Sequence, residues 1–240
     1  MSLASQGLPG TFPHCMRLAL PVLLLAIGVP DAAAGEPLTD AEIVRALKQA
    51  LVQGSARAVA QLGRRGGFLG NPRFRIPLPH SLQRADALAR KLGLARYSDQ
   101  VVEAMNRAAE QAVPEAQGLL VAAVRNMTLQ DARSILVGPD DAVTRYFRRH
   151  TEAALTARFL PIVAQATRRV RLAEAYNQYA RRGVHYRLIR EDEADLDVYA
   201  TRKALDALYV SIAEEERAIR RDPLGQAQSV LRKVFGSLLQ

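Results

Sequence analysis

From Thr39 onward the apolar residues of this chain recur every three to four positions, and no run of strict alternation interrupts them. That spacing lines one face of a helix and denies a half-buried strand its alternating faces. The expected architecture is all-α. A first helix reads from Asp40 to Leu62, with Ile43, Leu47, Leu51, Gly54, Ala58 and Leu62 on one face and Gly63 as its stop. Ser81 is placed as the cap of a short helix to Leu92, Ser98 or Asp99 opens another to Val113, and Pro114 starts the next to Met127. Thr128 and Asp131 have capping-box spacing for a helix that stops at Gly138-Pro139. Asp140 is expected to cap a long segment to Arg169, which Pro161 should kink or break, before helix resumes from Leu172 to Arg182 and stops at Gly183. Val198 to Arg221 is the cleanest amphipathic helix, burying Leu205, Leu208, Tyr209, Ile212 and Ile219. Beyond Asp222-Pro223 a final helix carries Val230, Leu231, Val234 and Phe235. With no repeat and no long linker, residues 35–240 read as a single multi-helix bundle.

Residues 1–34 read as a secretory signal peptide: Arg17, the uncharged run Leu18 to Val29, then Pro30 and the small residues to Gly35, with cleavage expected after Ala34. Twelve residues rise only about 18 Å, against a hydrocarbon core of roughly 30 Å, so no permanent transmembrane helix is expected after cleavage. Met16 would by itself begin a compact leader, which makes residues 1–15 look like an over-long start. Cys15 precedes the apolar run, so it is misplaced for lipidation, and as the lone Cys it leaves no internal disulfide and no Cys-based zinc site. The expected compartment is the bacterial periplasm.

The formal net charge is +9, carried almost entirely by arginine. In the periplasm such a surface meets anionic envelope components or acidic proteins rather than nucleic acid. No phosphate-binding glycine loop, no dinucleotide fingerprint and no nucleophile elbow is present, and none of His80, His150 or His185 has Glu three residues before it, so neither cofactor nor metal is expected. The acidic run Glu191, Glu193, Asp195 and Asp197 fails the calcium-loop pattern at Tyr199 and Ala200 and reads as the approach to a helix N-terminus.

The stretch Gly63 to Pro79 is the least helical part of the mature chain, because its glycines and prolines forbid a continuous helix. Phe68, Leu69, Phe74 and Ile76 are expected to pin it onto the helices as an ordered loop, leaving Arg64, Arg65, Arg73 and Arg75 to interleave with them. A single Arg-Gly-Gly is not an RNA-binding tract. A loop held rigid by a scaffold is a natural place for binding groups.

Gly66-Gly67-Phe68-Leu69 with Asn71-Pro72, Arg75 to Pro79, Asn106 to Glu110, Ala112 to Ala116, and Met127-Thr128 with Asp131-Ala132 resemble the bacterial domain-of-unknown-function family numbered 4197. The likeness continues in order through Tyr146-Phe147-Arg148, Phe159 with Pro161, Tyr176-Asn177, Thr201 with Lys203 to Asp206, Ile212 to Glu216, Ile219-Arg220 and Val234 to Gly236. It implies an exported protein with a helical domain and supplies no catalytic residues. Gly70 stands where an Asn is common, which loosens the loop. Arg171 stands where a Gly is usual between Val170 and Leu172, which removes the expected mark of a helix break.

Two readings of function follow. In the first, the chain is a non-catalytic binding or interaction module that uses the Gly66 to Pro79 loop and a nearby polar face to hold an anionic ligand or an envelope or protein partner; its candidate residues are Gly66, Gly67, Phe68, Asn71, Arg75, Asn106, Glu110, Tyr146 and Arg148. The alternative is a periplasmic enzyme in which Glu110 acts as acid or base while Arg75, Asn106, Tyr146 and Arg148 orient an anionic substrate. That requires burial to raise the Glu110 pKa and the residues to converge in a pocket. The plain alternative leaves Asn106 and Glu110 on a solvated face and Tyr146 in the core.

Overall fold

The computed structural model describes residues 39–187 and 189–221, without the side chains of residues 181–183. Within them lie eight α-helices and no strand: α1 (Asp40–Gly63), α2 (His80–Lys91), α3 (Ala95–Ala112), α4 (Ala116–Arg125), α5 (Leu129–Leu136), α6 (Ala142–Thr167), α7 (Arg171–His185) and α8 (Leu196–Arg221). The expected leader, its cleavage point and the helix around Val230 to Phe235 lie outside the described residues. None of the described helices is long and apolar enough to cross a membrane.

The core forms where α6 lies along α8, with α3 against α6 and α1 bridging α8 and α4. Phe147, Leu155 and Phe159 from α6 meet Leu205, Leu208 and Tyr209 from α8 in one buried cluster, joined by Met105 of α3 and Leu62 of α1. The periodic faces read for α1 and α8 are thus the buried ones, with Ile43 only half-buried at the end of its stripe. Thr39 and Glu42 close a capping box at the start of α1, and Thr128 and Asp131 close the expected one at α5.

Helix ends depart from the sequence reading where distant side chains, rather than local ones, supply the caps. Ser81 does not cap α2, which begins at His80; the Ser81 N–H donates to Glu193 Oε2 at 3.1 Å. Asp140 does not cap α6 either. No local side chain does so, and Glu216 of α8 accepts the Val143 and Thr144 N–H groups at 3.2 and 3.3 Å. α3 begins at Ala95 rather than Ser98, because Gly93 (φ +74°) turns the chain at once after α2 and lets Leu94 N–H reach Ala89 O at 2.8 Å.

Three further expectations are corrected. α6 continues through Pro161: that residue and Ala157, whose carbonyl loses its donor, are both exposed, so water can satisfy the group. The chain does leave the helix between Thr167 and Arg171, although no glycine stands there. Thr167 Oγ1 lies against the Val163 carbonyl at 3.1 Å and against Asp197, and Val170 N–H closes a turn onto Thr167 O at 2.9 Å. α7 runs past Gly183 to His185, and the left-handed residue that follows is Arg187 (φ +57°).

Candidate functional site

The segment between α1 and α2 crosses the face of α3 that carries Asn106 and Glu110 one helical turn apart. Gly66 takes φ +85°, a conformation that a side chain disfavours, and aims its amide inward. Gly67 lies so close to the end of α1 that an added Cβ would stand 2.2 Å from the Leu62 carbonyl oxygen. The turn they make brings the amides of Gly66, Phe68 and Leu69 onto one carboxylate oxygen, Glu110 Oε1, at 3.0, 3.1 and 3.0 Å. The other oxygen accepts from Arg107 at 2.8 Å.

Asn106 continues this grip one turn earlier. Its Oδ1 accepts the Ile76 N–H at 2.8 Å, while its amide donates to Ile76 O at 2.8 Å and to Val102 O at 2.7 Å. The carboxamide therefore pairs with a single loop residue in both directions, as a neighbouring strand would. Phe68, Phe74 and Ile76 are buried beside it, as expected for an ordered loop; Leu69 is only half-buried against the core, and Leu78 is buried as well. Asn71 Oδ1 accepts the Arg73 N–H at 3.0 Å and shapes the loop's turn.

Burial pushes the Glu110 carboxyl up, but the Leu69 amide, the Arg107 guanidinium and the Phe68 and Gly66 amides outweigh it and hold the pKa below its ordinary value. Its oxygens are taken up by four donors, three loop amides and the Arg107 guanidinium, and neither Asn106 nor Glu110 lies on a solvated face. Tyr146 is in the core, its hydroxyl donating to Ala123 O at 2.8 Å and its ring edge-on to Phe147. Burial pushes its hydroxyl pKa up. Arg148 reaches Glu152 at 3.1 Å and Asp206 at 3.2 Å and lies over the Tyr209 ring.

The nine sequence-chosen residues therefore separate by role. Gly66, Gly67, Phe68, Asn71, Asn106 and Glu110 build the loop, Tyr146 builds the core, and Arg75 with the partner of Arg148 reaches a surface cleft. That cleft, of about 270 Å³, lies between the loop at Arg73 to Pro77 and a stripe on α8 formed by Lys203, Asp206, Ala207 and Val210. Arg73 is paired with Glu214, whereas Arg75 and Lys203 have no carboxylate partner among the described residues. The α8 stripe was missed as part of a site. Its i, i+3, i+4, i+7 spacing is visible in the sequence, but nothing local says that the loop lies against it. Among the described residues, no group of three or more His, Cys, Asp or Glu is placed to hold a metal ion.

These features define an all-helical domain in which the long irregular segment between α1 and α2 is fastened from within by a buried carboxylate and carboxamide. The chain belongs to the family described as "Protein of unknown function (DUF4197)", whose model matches residues 37–236. Neither a curated protein nor a solved structure matches it.

Proposed function

We propose that the chain is a non-catalytic periplasmic binding module, exported by residues 1–34 and cut after Ala34, that holds an anionic ligand or the anionic face of an envelope partner in the cleft between the loop and α8. The observation that supports this reading is the pair Arg75 and Lys203, two cations in one cleft without carboxylate partners among the described residues. Asn106 and Glu110 fix the backbone on either side of that cleft wall, so Arg75 is presented by a loop that is already ordered before anything binds. Asp206, the acid in the same cleft, is engaged by Arg148. Glu110 contributes as a loop anchor in this reading; a carboxylate held below its ordinary pKa is a weak base near neutral pH.

The test is native mass spectrometry of the protein taken gently from its own periplasm, beside an Arg75→Ala/Lys203→Ala variant. The expected result is a mature chain beginning at Gly35 that carries a reproducible added mass, with that mass lost from the variant. A bare chain in both preparations overturns stable binding, and a chain retaining Leu18 to Val29 overturns the periplasmic assignment. Phe68→Ala is not a useful probe of capture, because Phe68 is fully buried and its loss tests folding.

A further inference from the structure

Two further clefts lie at the far end of the loop, where Leu78, α2, α3 and the start of α7 come together. One is an apolar groove of about 250 Å³, walled by Leu78, Leu82, Ala89, Leu94, Tyr97 and Leu172. The other is a polar cleft of about 570 Å³ that contains Gln100, Arg107, Gln111, Arg169 and Arg171. Tyr97 and Leu172 line both, so the two openings adjoin. The groove alone exceeds the roughly 150 Å³ in which an apolar cavity takes up a benzene-sized guest, and such space lined by leucines favours hydrocarbon over water.

The polar cleft supplies charge of one sign in excess. The acid in its lining, Glu103, lies 3.8 Å from Arg107, which is also bound to Glu110 at 2.8 Å, whereas Arg169 and Arg171 make no ion pair among the described residues. Arg171 is the first residue of α7 and Arg169 lies two positions before it, at the end where the helix dipole disfavours cations and favours an anion. In the groove the opposite holds: Asp86 is the acid in its wall, kept ionised by the Ser98 hydroxyl and Arg90, which in turn also binds Asp99. An anionic head is therefore drawn to the arginine side and an apolar tail to the leucine side.

We infer that this joined cleft is a binding site for a single-chain amphiphile with an anionic head, its hydrocarbon tail in the groove between α2, α3 and α7 and its head between Arg169 and Arg171. The pairing of an apolar trough with a few convergent polar groups is the usual form of a small-molecule site. The exposure of Leu94 and Tyr97, both of which line the groove, fits a site whose guest completes the apolar cover.

The experiment is a calorimetric titration of the full mature chain with dodecanoate below its micelle concentration, beside dodecanol, which has the same tail without charge, and acetate, which has the head without the tail. Dodecanoate should bind, dodecanol should bind about tenfold more weakly, and acetate should not displace dodecanoate. In an Arg169→Ala/Arg171→Ala variant dodecanoate should fall to the level of dodecanol, and both arginines are exposed, so the core is left intact. A Leu94→Asp variant should weaken both chains. Equal binding of dodecanoate and dodecanol, displacement by acetate, or an arginine variant that loses nothing would each overturn the proposal. So would capture on phosphatidylglycerol vesicles without uptake of free dodecanoate, which would place the lipid in a bilayer. Arg75 and Lys203 line a different cleft, so this test and the native-mass test fail independently.

Discussion

The loop between α1 and α2 and the helix α2 that follows it reverse the usual relation between regularity and anchorage. The loop has no repeating backbone hydrogen bonds, yet Phe68, Phe74, Ile76 and Leu78 are buried and four of its amides bond to side chains of α3. α2 closes its interior backbone bonds within the helix, takes a distant acceptor, Glu193, at the Ser81 amide of its first turn, is strongly amphipathic, and has no fully buried residue. A segment is held by what its side chains bury and by where its orphan amides find acceptors, and helical order supplies neither by itself.

The strongest way to break this contrast is to remove the acceptor. Glu110→Ala leaves three inward amides without their shared acceptor, at about 1–3 kcal/mol for each buried group left unsatisfied, while Arg107 keeps its contact to Glu103. Urea unfolding should show that loss, and hydrogen exchange should show Gly66, Phe68 and Leu69 opening while α2 keeps its rates. Unchanged exchange in the loop would mean that the apolar contacts alone hold it. The same carboxylate gives a pH signature. Its folded pKa lies below the ordinary 4.5, so its contribution is complete above that value and is lost as pH falls through the folded pKa. Glu110→Gln should remove that part of the acid sensitivity.

Gly67→Ala attacks the same loop through space rather than charge. A methyl group 2.2 Å from the Leu62 carbonyl oxygen forces the end of α1 or the loop to move, at about 1–3 kcal/mol. The matched change on the other side of the comparison, Gly93→Ala after α2, meets no atom within 4 Å and carries only the strain of a left-handed backbone, roughly 1–2 kcal/mol. Thermal unfolding of the pair separates the two costs, and a larger loss at Gly93 than at Gly67 would contradict the close packing of the loop.

How far the sequence reveals this arrangement follows from the range of the forces involved. Helical periodicity is local, so the α1 and α8 faces, the Thr128 box and the Gly/Pro-rich loop with its buried Phe68 and Ile76 could all be read directly. Caps supplied by Glu193 and Glu216 could not, because each acts on a residue more than seventy positions away. For the same reason Asn106 and Glu110 could be singled out as unusual but not assigned to the loop backbone, and Lys203 gave no sign that it would meet Arg75. The break before Arg171 misled because its glycine is replaced, while a threonine hydroxyl turned inward holds the turn.

A second buried carboxylate sharpens the meaning of the first. Glu216 also accepts two backbone amides, from Val143 and Thr144, and is bonded to Arg220. Burial nevertheless dominates there, and its pKa is raised. With the folded value above the ordinary 4.5, its contribution is fully present below that value and is lost as pH rises through the folded pKa, the reverse of Glu110. Urea midpoints taken at about pH 7 and about pH 5 should therefore show the natural chain gaining on acidification relative to Glu216→Gln, by less than the loss at Gly67→Ala. An equal response in both proteins would remove the distinction between the two caps.

The smallest effect is expected in α2 itself. Leu88 is 62% exposed, so Leu88→Ala creates no cavity and should change global stability by no more than about 0.5 kcal/mol. Hydrogen exchange gives the sharper reading. Because α2 closes its own backbone bonds while burying no side chain fully, its amides should exchange through local openings well below the global unfolding free energy, and the irregular Phe68 and Ile76 amides should exchange only near it. If α2 proved as protected as Ile76, some contact beyond those of the isolated chain would have to hold it, and binding of a tail in the groove beside Leu82 and Ala89 is the contact that would convert a loosely attached helix into an anchored one.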